Sequence, residues 1–364
     1  MNRRHFIYAA SVGAASATMP LTTVAQGNRD PVSQMPQVGA KLRTITLEEH
    51  FVSPGFISGP GLGFIERLRT TGGRGAKIFE QLQDVGDGRM AEMDAAGIDM
   101  QVLSLNAPGV EQAEVAEQVA IARESNDFLA DVVKNNPRRF AAFASLPIAA
   151  PEQAADELDR RVRQQGFKGT LINGHTRGRY LDDKFFWPVL ERAEALNVPI
   201  YLHPTVPPKP VADGGFSPTV SAVFAAAGWG WHIETAVHLI RMVLGGVFDR
   251  YPKLQVVIGH LGEGVPFMMP RLNKNLPMET TKLARPLAAY LRENVHYTFS
   301  GFNFPATFLD LLLEVGVERI MFSADHPYGS MAEARVFLDH IPVSAADRER
   351  IAHGNAERLF NLQT

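Results

Sequence analysis

Ionisable side chains follow short apolar runs at several widely separated points of the chain. The first run ends in LEEH at 47–50, and later runs lead into His203, His260 and Asp325. Alternate residues of a strand point to the same side, so the glutamate and the histidine two positions apart in the first run share one face. Imidazole and carboxylate groups together suit Zn²⁺, Mn²⁺ or Fe²⁺. One histidine at a strand end is more often structural, but four strand ends of this kind favour a metal site.

The apolar runs have the length and composition of buried strands, and helical patterns such as 151–165, 185–196 and 233–244 separate them. Eight strands are predicted at 43–47, 100–105, 140–146, 169–172, 199–202, 255–258, 295–299 and 320–323. This alternation predicts an α/β fold of the (β/α)₈ or TIM barrel type with loop insertions, in which the carboxyl ends of the strands meet at one mouth. An open doubly wound sheet is the alternative, but no glycine-rich phosphate loop follows the first strand.

Overall composition excludes several other classes of protein. The net charge of −3, without a cluster of basic residues, argues against a nucleic-acid partner. The chain has no cysteine, so it forms no disulfide and any metal must be bound by His, Asp or Glu. The 45% of hydrophobic residues are ample for a large core.

The first residues have the pattern of an export signal. Arg3 and Arg4 precede an apolar run, 7–21, that is too short to span a bilayer, and small residues at 23–25 suit cleavage. We predict a twin-arginine-type signal peptide at 1–25, a linker at 26–41 and a single barrel domain at 42–364, which places a mature protein without a membrane anchor in the periplasm. A disordered tail is the alternative.

Two long segments are predicted on the functional face of the barrel. The insertion at 53–77 is rich in glycine but carries several apolar residues, which suits a lid or an oligomer contact as well as a mobile surface loop. The proline-rich segment 205–217 is predicted to be a second long loop.

Seven segments resemble the amidohydrolase superfamily (amidohydrolase family 2). The resemblance is to the branch that contains aminocarboxymuconate semialdehyde decarboxylase and the nonoxidative aromatic-acid decarboxylases, with the gamma-resorcylate (2,6-dihydroxybenzoate) decarboxylases most similar. GHLGEG and SADHP are specific in combination, whereas LEEH alone is weak. The segments are LEEHF at 47–51, NGH at 173–175, YLHP at 201–204, ETAVHLIRM at 234–242, GHLGEGVPFMMPRL at 259–272, RIMFSADHPYG at 319–329 and NAERLFNL at 355–362.

The resemblance implies a role for each matching residue. Glu48, His50, His203 and Asp325 would bind one divalent metal, Zn²⁺ or Mn²⁺. Catalysis would use His260, Glu263 and Asp325, with Asp325 as the candidate proton donor. Arg271 would lie near the substrate carboxylate or the partner subunit. Relatives are dimers or tetramers, so the resemblance also implies a homodimer or homotetramer.

The first strand carries Glu-x-His, whereas the hydrolytic amidohydrolases typically carry His-x-His. In this resemblance, Glu-x-His favours nonoxidative decarboxylation, and the substrate would be an aromatic (hydroxybenzoate-like) or conjugated carboxylic acid. Two positions depart from the aromatic decarboxylases. His175 and His326 stand where aromatic residues are usual, and we expect both to line a more polar substrate pocket. That polarity keeps metal-dependent hydrolysis of a lactone, ester or amide as the alternative. A barrel that only binds its ligand is the third hypothesis, but none of the expected metal ligands is missing.

The sequence does not decide between an aromatic pocket wall and the core for Trp229, Trp231 and His232. A packing role is favoured over a pocket role for Glu234 and His238, which lie four residues apart on one helix face.

Overall fold

The structure, a computed structural model, describes residues 41–70, 72–208 and 216–362. The predicted signal peptide and nearly all of the predicted linker lie outside the described residues, and so does 209–215 of the second long loop. Residues Leu42–Thr364 form one compact unit. Within the described residues, no helix has the length and apolar character needed to cross a membrane.

Eight short parallel strands form the centre of this unit, as predicted. They are β1 Ile45–Phe51, β2 Met100–Leu105, β3 Phe140–Ala142, β4 Thr170–Asn173, β5 Ile200–His203, β6 Val256–Ile258, β7 Val295–Thr298 and β8 Ile320–Met321. Hydrogen-bonded ladders join β1 to β3 and β4 to β8 in chain order. Single parallel bridges, Ala144 with Thr170 and Leu47 with Ser323, lie at the two seams between these sheets. The arrangement is a (β/α)₈ barrel whose seams are not closed by continuous ladders.

Helices follow the strands. The α-helices are α1 Pro54–Ser58, α2 Leu62–Thr70, α3 Gly73–Gln83, α4 Asp87–Ala96, α5 Val115–Asn135, α6 Pro151–Gln165, α7 Trp187–Leu196, α8 Pro218–Val223, α9 Gly230–Leu244, α10 Val247–Arg250, α11 Val265–Asn275, α12 Met278–Thr281, α13 Leu287–Glu293, α14 Pro305–Val315, α15 Met331–His340, α16 Ala345–Glu349 and α17 Asn355–Phe360. Short 3₁₀ segments occupy Lys184–Phe186, His260–Gly262 and Val317–Arg319, and π turns occupy Phe224–Gly228 and Arg350–Gly354.

Alternation along the strands divides the core into two parts. Ile45, Leu47, Val102, Val257 and Met321 belong to a small cluster that also includes Tyr201. Alternate strand residues, such as Leu103, Ile172 and Ile258, pack with the helices in a larger cluster. The β1–β2 register shifts between Thr46 and Glu49, so β1 carries an irregularity beside the residues predicted to bind metal.

The insertion at 53–77 is folded rather than a loop, because its described residues build α1, α2 and the start of α3. Phe56 and Ile65 are fully buried in the larger core cluster. Ser53 caps α1 through the Phe56 N–H and also donates to Glu124 of α5 (2.5 Å). Burial of the apolar residues explains their presence in a glycine-rich segment. Whether the helices act as a lid or an interface stays a prediction.

Gly169, directly before β4, occupies a position that admits no side chain. Its φ is +139°, and a Cβ there would lie 2.3 Å from the carbonyl oxygen of Pro199. We therefore expect Gly169→Ala to lower the free energy of unfolding by about 1–3 kcal/mol. Gly73→Ala is the matched control, because a Cβ at Gly73 meets nothing within 4 Å. Thermal unfolding of both variants measures the difference, and equal midpoints would contradict the steric argument.

Candidate metal and catalytic site

Four predicted metal ligands meet at the carboxyl ends of the strands. Glu48 and His50 lie within β1, His203 is the last residue of β5, and Asp325 follows β8. One ligand atom from each of the first three lies within 4.8 Å of the others. Asp325 Oδ1 is 3.3 Å from His50 Nε2. The barrel thus brings together residues that are up to 277 positions apart (Glu48 and Asp325, 325 − 48).

The nitrogen and oxygen atoms of this cluster are arranged to coordinate a cation. Glu48 Oε1 and His50 Nε2 are buried and have no hydrogen-bond partner. His203 donates from Nδ1 to the Pro204 carbonyl (2.8 Å), which directs the lone pair of Nε2 toward Glu48 Oε1, 3.3 Å away. Burial lowers the pKa of His50 to about 4 and that of His203 well below its ordinary value, so both imidazoles are neutral. Neutral imidazoles and carboxylates fit one divalent metal ion.

Two hydroxyl groups hold the inner oxygen of Glu48. Tyr201 and Ser300 both donate to Glu48 Oε2, which leaves Oε1 facing the cluster. Thr298 bonds both hydroxyls, at 2.6 Å and 2.8 Å, and Ser323 Oγ accepts from the Ser300 N–H (3.2 Å). Hydrogen bonds of this kind orient a ligand carboxylate and tune its metal. Neither hydroxyl residue was predicted, although Tyr201 lies two positions before His203 and therefore on the same face of β5.

Removal of the Ser300 hydroxyl should weaken metal binding. We expect Ser300→Ala to raise the metal dissociation constant about 10–100-fold, because Glu48 loses one of its two buried donors. Ser58→Ala is the control, since the Ser58 hydroxyl only bonds carbonyls within exposed α1. Competition against a fluorescent chelator measures the affinity, and an unchanged constant would show that this hydroxyl does not support the ligand.

A second group of ionisable residues lies beside the cluster. Glu263 accepts from His260 Nδ1 (2.7 Å) through one oxygen and from His232 Nδ1 (2.5 Å) through the other. Although burial opposes the charge, the carboxylates of Glu263 and Glu48 raise the pKa of His260 to about 10. Burial alone would raise the pKa of Glu263, but His260 and His232 hold it below its ordinary value. His260 Nε2 faces Glu48 Oε1 at 3.9 Å, so this imidazole connects the pair to the metal cluster.

His232, which the sequence left undecided between a pocket wall and the core, lies beside the His260–Glu263 pair. Besides binding Glu263, its Nε2 donates to the Ala227 carbonyl (3.0 Å), and its ring packs edge-on against His260 and Phe302. Both ring nitrogens thus face oxygen acceptors, which fixes the orientation of the ring beside the Glu263 carboxylate. Trp229, by contrast, is half exposed.

Asp325 differs from the other ligands in having a partly exposed side chain, at 17%. Burial raises the pKa of Asp325 to about 7, His260 opposes the rise and Glu263 adds to it. Among the predicted metal ligands, Asp325 is therefore the acid best placed to hold a proton near neutral pH and deliver it to a bound molecule.

Glu49 has a positioning role that the sequence did not reveal. It points away from Glu48 and accepts from the backbone N–H groups of Ala324 (2.9 Å) and His326 (3.2 Å), on both sides of Asp325. Fully buried Arg89 donates to the His50 carbonyl (2.6 Å). The Glu49 contacts tie β1 to the loop that carries Asp325, and the Arg89 contact ties α4 to β1.

His175 and His326 were predicted to line the substrate pocket, but within the described residues neither ring forms a hydrogen bond or ion pair with the metal cluster. His175 Nδ1 accepts from the Gly178 N–H (2.9 Å) and Nε2 donates to the Val206 carbonyl (3.0 Å), so backbone groups occupy both nitrogens. The His326 ring lines a separate cavity of about 490 Å³ beside α3 and α4. A substrate contact by either ring stays a prediction, but the structure provides no free ring nitrogen at His175.

Three further predicted residues occupy different environments. Arg271 lies exposed on α11, and its guanidinium makes no hydrogen bond or ion pair within the described part of the chain. His238 is fully buried and accepts from the Leu181 N–H (2.9 Å), in keeping with a packing role. Glu234 is also buried, and burial followed by the Glu263 charge raises its pKa to about 8.

A parallel barrel with a carboxylate–imidazole cluster at the carboxyl ends of its strands defines a class of metal-dependent enzymes. The chain matches the model of the amidohydrolase family (Amidohydro_2) over residues 64–362, and it belongs to that family. It is 37% identical over 332 residues to gamma-resorcylate decarboxylase from Polaromonas sp. (strain JS666), which covers 87% of this chain and 98% of the relative.

Comparison with solved structures leads to the same family. A 2,6-dihydroxybenzoate decarboxylase complexed with 2,6-dihydroxybenzoate is similar, with a TM-score of 0.78, 35% identity and coverage of 88% of this chain and 99% of that one. The 5-carboxyvanillate decarboxylase from Novosphingobium aromaticivorans, complexed with manganese and 4-hydroxy-3-methoxy-5-nitrobenzoic acid, has a TM-score of 0.81, 32% identity and coverage of 88% and 96%. The predicted family and the predicted barrel are confirmed.

Proposed function

We propose that the protein is a metal-dependent, nonoxidative decarboxylase of a hydroxybenzoate-like aromatic acid. The observation that carries the proposal is the buried Glu48, His50 and His203 cluster with Asp325 at its edge and the His260–Glu263 pair beside it. Relatives of this barrel at 32–37% identity are named decarboxylases of gamma-resorcylate, 2,6-dihydroxybenzoate and 5-carboxyvanillate.

In the proposed reaction, some residues bind the metal and others act in proton transfer or place charge beside the substrate. Glu48, His50, His203 and Asp325 would hold one Mn²⁺ or Zn²⁺, which supplies Lewis acidity and a template for a carboxylate and an adjacent hydroxyl group. Manganese is the first choice because the 5-carboxyvanillate decarboxylase contains it.

Asp325 gives its proton to the ring carbon that bears the carboxylate. The bond from that carbon to the carboxyl group then breaks, its electron pair restores the aromatic ring, and CO₂ leaves. His260, held by Glu263, places positive charge beside the anionic substrate.

The observations in favour of hydrolysis are weaker than the sequence suggested. That alternative depended on a polar pocket made by His175 and His326. The first ring is bonded to the backbone on both sides, and the second lies in another cavity. We therefore propose decarboxylation alone.

The test is a screen of manganese- and zinc-loaded protein against 2,6-dihydroxybenzoate, 5-carboxyvanillate and an aromatic lactone. Released CO₂ and the ring product are quantified together. We expect equal amounts of CO₂ and decarboxylated phenol from at least one hydroxybenzoate, and no opening of the lactone. Lactone opening without CO₂ would overturn the proposal.

A homodimer or homotetramer is proposed as the working assembly. Phe267 of α11 is 75% exposed and Leu313 of α14 is 84% exposed, and these two helices pack side by side. Apolar side chains this exposed on adjacent helices are typical of protein interfaces. Light scattering should show an oligomer that the double variant Phe267→Glu, Leu313→Glu disrupts, whereas Val336→Glu on α15 should leave it intact.

Export is a separate proposal that depends on residues 1–25 alone. The twin arginines and the following apolar run support a folded passage to the periplasm. Cell fractionation should find a shortened protein in the periplasm, and full-length protein confined to the cytoplasm would contradict it.

A further inference from the structure

A second cavity lies at the end of the barrel opposite the candidate site. It has a volume of about 290 Å³, and its lining includes Pro199, Gln255, His296 and Arg319. These residues stand immediately before β5, β6 and β8 or at the second position of β7, so they mark the amino-terminal ends of four strands. The metal cluster lies at the carboxyl-terminal ends. Nothing in the proposed reaction uses this cavity.

The lining of this cavity carries an excess of positive charge. Lys253, Arg319 and Arg358 contribute three cations, against the one carboxylate of Glu318. Arg358 is paired with Glu318 (3.4 Å), and exposed Arg350 shares the same carboxylate at 3.6 Å. Arg319, by contrast, forms no ion pair with any carboxylate of the described residues, although it is only partly exposed. Among the described residues, one guanidinium in the cavity is therefore without a carboxylate at ion-pair distance.

A buried donor accompanies this guanidinium. Arg319 Nη1 donates to Gln255 Oε1 (3.1 Å) and to His296 Nε2 (3.0 Å). Because His296 accepts at Nε2, its proton is on Nδ1. The His296 side chain is 4% exposed, and Nδ1 has no hydrogen-bond partner. A buried N–H without an acceptor is costly, and so is a half-buried cation beside another arginine. An oxyanion in the cavity would give Arg319 a carboxylate-like partner, while Gln255 and His296 hold the guanidinium in place.

We propose that this cavity binds a small oxyanion, a phosphate or a carboxylate, between Arg319 and Arg358. The planar guanidinium groups suit oxyanions because each can donate two parallel hydrogen bonds. The volume admits inorganic phosphate or a single-ring carboxylate. The site is independent of the proposed decarboxylation, since it shares no residue with the metal cluster.

The test is calorimetric titration of the metal-loaded protein with inorganic phosphate and, separately, with benzoate. Phosphate and benzoate also bind metal centres, so the variants decide where binding occurs. Arg319→Gln should weaken binding at least about tenfold, because it removes the unpaired charge and a charged donor. Lys253 lies on the exposed rim, and its side chain forms no hydrogen bond or ion pair with the described residues, so Lys253→Gln should not disturb the fold. We expect a twofold to threefold weaker affinity. Arg163→Gln, on exposed α6, is the control and should bind as wild type.

The two ligands separate the possible sources of the oxyanion. Phosphate binding alone identifies a tetrahedral anion site, and benzoate binding alone identifies a site for an aromatic acid. Either result supports the proposal when Arg319→Gln and Lys253→Gln both weaken it. Absence of binding by both ligands would overturn the proposal, and so would binding that is unchanged in both variants. Decarboxylase activity is measured in parallel, so failure of that activity is distinguishable from failure of the anion site.

Discussion

Asp325→Asn is expected to lower the rate of decarboxylation at least about 10³-fold while the metal remains bound. Asparagine keeps an oxygen that can face the metal but carries no transferable proton. A positioned general acid typically contributes 10²–10⁴-fold, and Asp325 combines a pKa raised to about 7 with a side chain open to the mouth. Single-turnover CO₂ release and metal analysis of the same preparation give the two readouts.

Asp131→Asn is the matched control, because Asp131 is exposed on α5 and distant from the strand ends. It should retain wild-type activity. An Asp325→Asn variant with full activity would refute the proton-donor role, whereas loss of the metal together with activity would assign Asp325 to metal binding alone.

Glu263→Gln is expected to reduce kcat about 10²-fold with little change in metal content. Glu263 uses one oxygen for His260 and the other for His232, so it needs two acceptors. Glutamine provides one acceptor and one donor, and it removes the charge that raises the pKa of His260. The variant should therefore lose the positive charge on His260 at a lower pH than wild type.

The pH profile of kcat separates this role from a purely structural one. With the charge on His260 required for the reaction, wild-type activity persists to high pH, and the Glu263→Gln profile falls at lower pH. A uniform drop at every pH would indicate a structural role instead. Glu152→Gln, exposed near the start of α6, should match wild type in both rate and profile.

The barrel was accessible from sequence because β-branched, apolar runs alternate with helical patterns, and all eight predicted strands are present. The predicted first and last residues of the strands were less accurate. The first strand was predicted to end at Leu47, whereas β1 continues to Phe51. Glu48, Glu49 and His50 can be buried because hydroxyl groups bind Glu48, backbone N–H groups bind Glu49 and the His50 imidazole is neutral. An apolar pattern does not register such residues.

The principal residues of the site were also predicted, because ionisable side chains directly follow apolar strands. The residues that hold these side chains in position were not predicted. Ser300 binds Glu48 across 252 positions, and Glu263 binds His232 across 31. Such contacts depend on how loops return to the barrel mouth, which local spacing does not encode. His175 illustrates the converse, since backbone groups engage a histidine that its position suggested for the substrate.

The most direct test of the account is turnover of 2,6-dihydroxybenzoate by the manganese-loaded protein in deuterated water. The proposed reaction replaces the carboxyl group by one solvent-derived proton at the same ring carbon. We predict CO₂ and resorcinol in equal amounts, with one deuterium at that carbon and no consumption of O₂. Product without deuterium there, or turnover that adds oxygen from water and releases no CO₂, would contradict nonoxidative decarboxylation.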